Sequence, residues 1–182
     1  MLRSKGCTAE GIFRKNGNIR LLKEACARIN SNPSALNLEQ DNPIQLAALM
    51  KKFFREMPDP LLTFKLSELF LIAASRLCFD IELPNQEQKV AAIHLLCCML
   101  PKCNIDLLSA LSLFIGEVAE HSNQNMMTIA NLATVMAPNI LYNKDNSTPS
   151  DAIYAIEVID IIFTHHKGML IVIDSYIAAC RL

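Results

Sequence analysis

The residues best placed to do chemistry lie in one short stretch, Glu10-Gly11-Ile12-Phe13-Arg14-Lys15-Asn16-Gly17-Asn18. Two of the chain's five glycines bracket a single arginine there. Gly11 and Gly17 let the backbone turn where a side chain would clash. Ile12 and Phe13 are apolar and suited to pinning the loop onto a core, so the anchor is rigid where the charge of Arg14 begins. Asn18 can cap a helix starting at Ile19, because its side chain can accept from an orphan backbone N–H. A solvated arginine ahead of an ordinary helix is the alternative, and the loop alone leaves both readings open.

A second constellation is Lys51 and Arg55. Four apart, they share a helix face, and like charges at that spacing cost a few tenths of a kcal/mol. Either the face is solvated, with Arg55 relieved by Glu56 or a loop carboxylate, or it is a cationic surface for an anionic partner. The third is Met136-Ala137-Pro138-Asn139. There proline is expected to end a helix and leave the Asn139 amide at the start of a loop. That amide can donate and accept across an interface, or Pro138 can be a simple stop signal.

Signatures of a self-sufficient enzyme are missing. The sequence has no H-E-x-x-H, no G-x-S-x-G and no Walker loop. His94 precedes Cys97 and Cys98 by three and four positions, but Leu95, Leu96, Met99 and Leu100 around them describe a packed core rather than a reactive thiol. Seven cysteines with no C-x-x-C pair fit free thiols in a reducing compartment, hence the cytoplasm. No Cys/His cluster has metal-ligand spacing, and His165-His166 should point to different helix faces.

The elements that must position these groups read as helices. The chain of 182 residues is 52% hydrophobic and 19% charged, which is enough for one folded domain with a sizeable core, taken as residues 1–182. Its net charge of −1 gives no basic excess for nucleic acid or an anionic membrane. No signal peptide is visible. The uncharged run from Ser122 to Asn143 is too rich in asparagine to insert in a membrane.

Apolar spacing predicts helices over about 18–30, 43–57, 64–77, 85–100, 105–121, 128–136, 150–165 and 169–179. Asp41-Asn42-Pro43 is a start signal for the second. Its apolar face is expected to run Leu46, Leu49, Met50, Phe53, Met57. Ser122–Asn125 is expected to be a turn. Eight helices with no sustained period-2 alternation predict an all-α domain.

The three constellations stand in the order and spacing of the RhoGAP family, which the chain resembles over about residues 9–175. The matching segments are Glu10-Gly11-Ile12-Phe13-Arg14, Leu49 to Leu62 with Lys51-Lys52-Phe53-Phe54-Arg55-Glu56, and Asn131 to Asn139 ending Ala137-Pro138-Asn139. The resemblance implies a helical domain that binds a GTP-loaded Rho-family small GTPase and accelerates GTP hydrolysis. It implies that Arg14 is the arginine finger, Lys51 a GTPase contact, Arg55 a support for the finger loop and site, and Asn139 a contact to the switch surface. It implies no cofactor of the domain's own, since GTP and Mg²⁺ belong to the partner.

Two departures are visible. Few residues precede Glu10, so the family's leading segment is expected to be shortened and the finger loop to be the least stable part. Lys15-Asn16-Gly17 also follows the finger where many relatives have a serine before the glycine. The competing class is a RhoGAP-like module that binds a GTPase or another signalling protein without activating it. Arg14 argues against that class.

Overall fold

Four of the helices begin where a short polar side chain satisfies the first backbone N–H groups. The computed structural model describes residues 6–32, 42–75, 86–142 and 148–168. In it α1 covers Ile19–Ser31, α2 Pro43–Arg55, α3 Phe64–Ala74, α4 Gln86–Cys98, α5 Lys102–Glu120, α6 Ser122–Asn125, α7 Ile129–Ile140 and α8 Pro149–Thr164. Asn18 caps α1 by accepting from Arg20 N and Leu21 N, and Asn42 caps α2 by accepting from Ile44 N with Pro43 behind it. Thr128 caps α7, and Thr148 with Asp151 forms a reciprocal capping box on α8. No strand occurs among the described residues, and the fold is all-α as the periodicity requires.

The expected helix at about 169–179, the connection at 36–39, the loop at 79–84 and the Asn85 cap lie outside the described residues. So do Cys78 and Cys180.

Helix α8 is the central post. It packs on α3, α4, α5 and α7, while α2 packs on α7, and α1 packs on α2. The core between them is formed by Phe70, Leu108, Ile115, Leu132, Met136, Ile159, Ile162 and Phe163, all essentially sealed from solvent. Burying side chains of this size contributes about 1.5–3 kcal/mol each. On α5 the helical spacing puts Leu108, Leu111, Ile115 and Val118 on one face, and all four are buried.

Four local readings are corrected. Helix α7 does not stop at Pro138 but continues to Ile140. Proline removes one N–H and crowds the preceding turn. Here it costs little, because it sits in the last turn, and Met136, Ala137, Asn139 and Ile140 are all buried. The buried aromatic of α2 is Phe54, whereas Phe53 is 57% exposed: the stripe facing the core runs Ala47, Met50, Phe54. Apolar spacing alone would turn Ile153 of α8 and Ile19 of α1 inward with their helices' other apolar residues, but both stand in solvent. Ser122–Asn125 forms the single-turn helix α6 instead of an open turn, and it ends at Met126 in the left-handed conformation.

Candidate functional site

The loop carrying Arg14 is built from the inside outwards. Ile12 and Phe13 are completely buried, and the Phe13 ring meets Phe114 of α5 edge-on at 6.1 Å. The backbone turns through positive φ twice, at Gly11 (φ 70) and at Phe13 (φ 65). The second is costly for a bulky residue, on the order of 1–3 kcal/mol, and persists because burial of the ring over-determines it. The next residue, Arg14, is exposed.

Three fastenings hold this loop, which the sequence led us to expect as the least tied part of the domain. Before the arginine, Gly11 N donates to Asn125 O at 2.8 Å. Beside it, Lys51 Nζ of α2 donates to Phe13 O at 2.5 Å. After it, Gln45 of α2 bonds both backbone groups of Asn18. An exposed ion pair, Lys15 to Glu10 at 3.1 Å, bridges the base of the loop.

Asn125 itself is fully buried and spends its whole amide. Nδ2 donates to Cys7 O at 2.6 Å and to Val118 O at 2.7 Å, and Oδ1 accepts from Met127 N at 2.7 Å. Sequence reasoning missed both Asn125 and Gln45. A usable signal existed for the second: Gln45 is the only polar residue between Ile44 and Met50. For Asn125 the sequence offers only one more asparagine in a polar run.

Lys51, Arg55 and Asn139 do come together. With Asn16, Gly17, Val135 and Pro138 they line an open cleft of about 510 Å³ between the loop, α1, α2 and α7. Arg14 stands two residues ahead of Asn16 on the loop that forms one wall. Among the described residues the cleft lining includes Lys51, Lys52 and Arg55 and no carboxylate. Lys52 pairs with Glu56, but among the described residues neither Arg14 nor Arg55 is in an ion pair.

Burial first, and the neighbouring Arg55 charge second, hold the Lys51 ammonium below its ordinary range. Of the two cations, Lys51 is the one hydrogen-bonded to the loop, through Phe13 O. Arg55 is exposed, and its backbone oxygen accepts a long bond from Tyr142 at 3.4 Å. Asn139 is almost buried within α7 and commits one amide hydrogen to Val135 O at 2.8 Å.

The other candidates carry no such arrangement. Cys97 is sealed in the core, and burial, with Cys98 adding, pushes its thiol well above the ordinary value, so it is not a nucleophile. His94 faces His165 rather than a thiolate, with ring centroids 6.4 Å apart. Among the described residues no group of three or more His, Cys, Asp or Glu could hold a metal ion, and no helix is long and apolar enough to cross a membrane.

Comparison with known proteins identifies the family. The RhoGAP domain family matches residues 1–145. Rho-type GTPase-activating protein 1 of Schizosaccharomyces pombe is 42% identical over 91% of this chain, and human Rho GTPase-activating protein 1 is 34% identical over 93% of it. Among solved structures, the BH domain of GRAF, the GTPase regulator associated with focal adhesion kinase, superposes with a TM-score of 0.78 at 26% identity, covering 92% of this chain and 87% of that one. Human Rho GTPase activating protein 15 shares the fold, with a TM-score of 0.81 at 21% identity over 92% of this chain and 78% of that one. The chain belongs to the RhoGAP family. It spans 14% of the length of the fission-yeast relative and 37% of the human one.

Proposed function

We propose that this domain binds a Rho-family small GTPase in its GTP state and accelerates hydrolysis by inserting Arg14 beside the nucleotide. The observation that carries the reading is an exposed arginine, in no ion pair among the described residues, on a loop fastened on three sides, next to a cationic cleft, in a chain of the RhoGAP family. The bond-breaking chemistry then belongs to the partner, which brings GTP and Mg²⁺. During hydrolysis negative charge redistributes among the γ-phosphoryl, the bridging oxygen and the leaving group. A preorganised guanidinium there stabilises the transition state more than the ground state. Its rigid planar fork can bond two oxygens side by side, a fixed bidentate geometry that the compact ammonium of lysine does not offer. Such a finger contributes roughly 10³–10⁵ in rate, or about 4–7 kcal/mol.

The remaining cleft residues take supporting roles. Lys51 holds the finger loop by its carbonyl and adds positive potential. Arg55, exposed and in no ion pair among the described residues, meets the acidic or phosphate-bearing side of the partner. Asn139 offers amide hydrogen-bonding capacity in the cleft wall. Free thiols at Cys7, Cys26, Cys97, Cys98 and Cys103 fit a reducing compartment, and we place the domain in the cytoplasm.

The deciding experiment is single-turnover GTP hydrolysis on a panel of Rho-, Rac- and Cdc-type GTPases, with the domain in excess. It is paired with affinity for the same GTPases loaded with a non-hydrolysable analogue. Arg14→Ala should lose most of the stimulation and keep binding within a few-fold, and Arg14→Lys should rescue little. Arg14→Ala that stimulates like wild type would assign the finger elsewhere. Binding by wild type with no stimulation of any GTPase would make the domain a docking module.

A further inference from the structure

Gln45 sits on the buried side of α2 and is only 7% exposed. Its Oε1 accepts from Asn18 N at 2.8 Å and its Nε2 donates to Asn18 O at 3.2 Å. Asn18 is the residue where the Arg14 loop ends and α1 begins, and its own side chain is already engaged in capping Arg20 and Leu21. Gln45 therefore grips both backbone groups of the hinge between loop and helix. The approach is close. A Cβ on Gly17 would fall 2.8 Å from Gln45 Oε1 and 2.9 Å from Ala48 Cβ, so only glycine lets the chain lie against α2 at this point.

The same helix carries Lys51, whose ammonium holds Phe13 O. The segment from Arg14 to Gly17 is thus strung between two points on one rigid rod, Lys51 ahead of it and Gln45 behind it. Helix α1, which follows the loop, packs against the same helix α2. Without Gln45 the far end of the loop would pivot with α1, and the guanidinium would lose its fixed distance from the cleft.

We propose that Gln45 is a positioning residue for Arg14, acting through the backbone of Asn18; this rests on the reading of Arg14 as the finger. An error of about 1 Å in the placement of a catalytic group can cost roughly 10²-fold in rate. Ground-state docking depends on the whole surface and is far less sensitive to it. Gln45→Leu, of similar volume, removes both hydrogen bonds. Gln45→Glu keeps the acceptor for Asn18 N and loses the donor to Asn18 O.

The test is a double-mutant cycle with Arg14 on a GTPase that the wild-type domain stimulates. It is read as maximal single-turnover rate and as affinity for the analogue-loaded GTPase. Amide exchange of the free domain is measured beside it. Gln45→Leu should lower the maximal rate by roughly 10- to 100-fold with affinity changed less than about threefold. The Asn18 amide should exchange at least roughly tenfold faster, since its acceptor is gone. Adding Gln45→Leu to Arg14→Ala should cost nothing further, because the residue acts only through the arginine. If Gln45→Leu does not fold, Gln45→Met, which also removes both hydrogen bonds and buries no charge, carries the same cycle.

An additive loss on the Arg14→Ala background would overturn the proposal, as would a full maximal rate despite faster Asn18 exchange. Affinity falling in step with rate would also overturn it. A wild-type domain that stimulates no GTPase overturns the reading of Arg14, and this role with it. A wild-type domain that stimulates while Gln45→Leu keeps the full rate overturns the role of Gln45 alone.

Discussion

Replacing Asn125 by aspartate changes almost no volume and reverses the sense of two hydrogen bonds. In the native site Nδ2 donates to Cys7 O and Val118 O, and Oδ1 accepts from Met127 N. Aspartate keeps the third bond and turns the first two into oxygen facing oxygen. Two buried hydrogen bonds are worth about 0.5–1.5 kcal/mol each. Burying a carboxylate against carbonyl oxygens adds a desolvation penalty, and Asn125→Asp should cost about 3–5 kcal/mol in all at neutral pH. Val118 O would still accept from His121 N, which holds the loss near the lower end.

The site should also raise the new carboxyl's folded-state pKa above the ~3.9 of an unfolded aspartate. Its penalty is therefore present above the folded pKa and fades as pH falls through it, since a protonated carboxyl can donate one of the lost bonds. Urea unfolding of wild type and variant, at about pH 7.5 and about pH 5, measures both effects. A loss under about 1 kcal/mol at the higher pH, or a gap that does not narrow at the lower, would refute the reasoning.

Two further expectations concern groups with shifted protonation. Lys51→Met should lower maximal stimulation at least roughly tenfold while the melting temperature moves by less than about 3 °C, because losing the bond to Phe13 O is offset by losing the cost of a half-buried charge. A large drop in melting temperature would make Lys51 chiefly structural. His94 is held below its ordinary value of 6.5 by burial first and by His165 second. Above that value it is neutral in both states and contributes nothing. As pH falls from 6.5 through the folded pKa, the unfolded chain takes up the proton first and stability drops. Thermal melts between about pH 7.5 and pH 5.5 should show a shallower decline for His94→Gln than for wild type, and equal slopes would remove His94 as the cause.

Much of the fold was legible because its signals are local. Asn18 ahead of Ile19 and Asn42-Pro43 ahead of Ile44 announce helix starts within three residues, and the buried face of α5 follows from spacing alone. The misreadings arose where packing outweighed a local rule. Pro138 is carried inside α7 because its neighbours are buried, and Phe54 rather than Phe53 faces inward because α7 and the loop lie on that side of α2. The bracketed arginine could be read from composition at one place. Its supports could not, since Gln45 acts 27 residues away and Asn125 acts 118 away, and nothing in a local pattern names a partner at that range.

That last separation sets an order of assembly. Asn125 reaches back to Cys7 and Gly11, so the Arg14 loop cannot be locked until α5 and α6 have been made and folded. A chain emerging from the ribosome at ~5–20 residues per second would carry the arginine without its Asn125 fastening for several seconds. The long closure itself is cheap, only ~1.3 kcal/mol more than the one to Gln45 by loop entropy. The delay is one of sequence order, and it makes the ordered loop a late event in folding. In a folding time course, protection of the Gly11 amide should therefore report the docking of α6 against the loop.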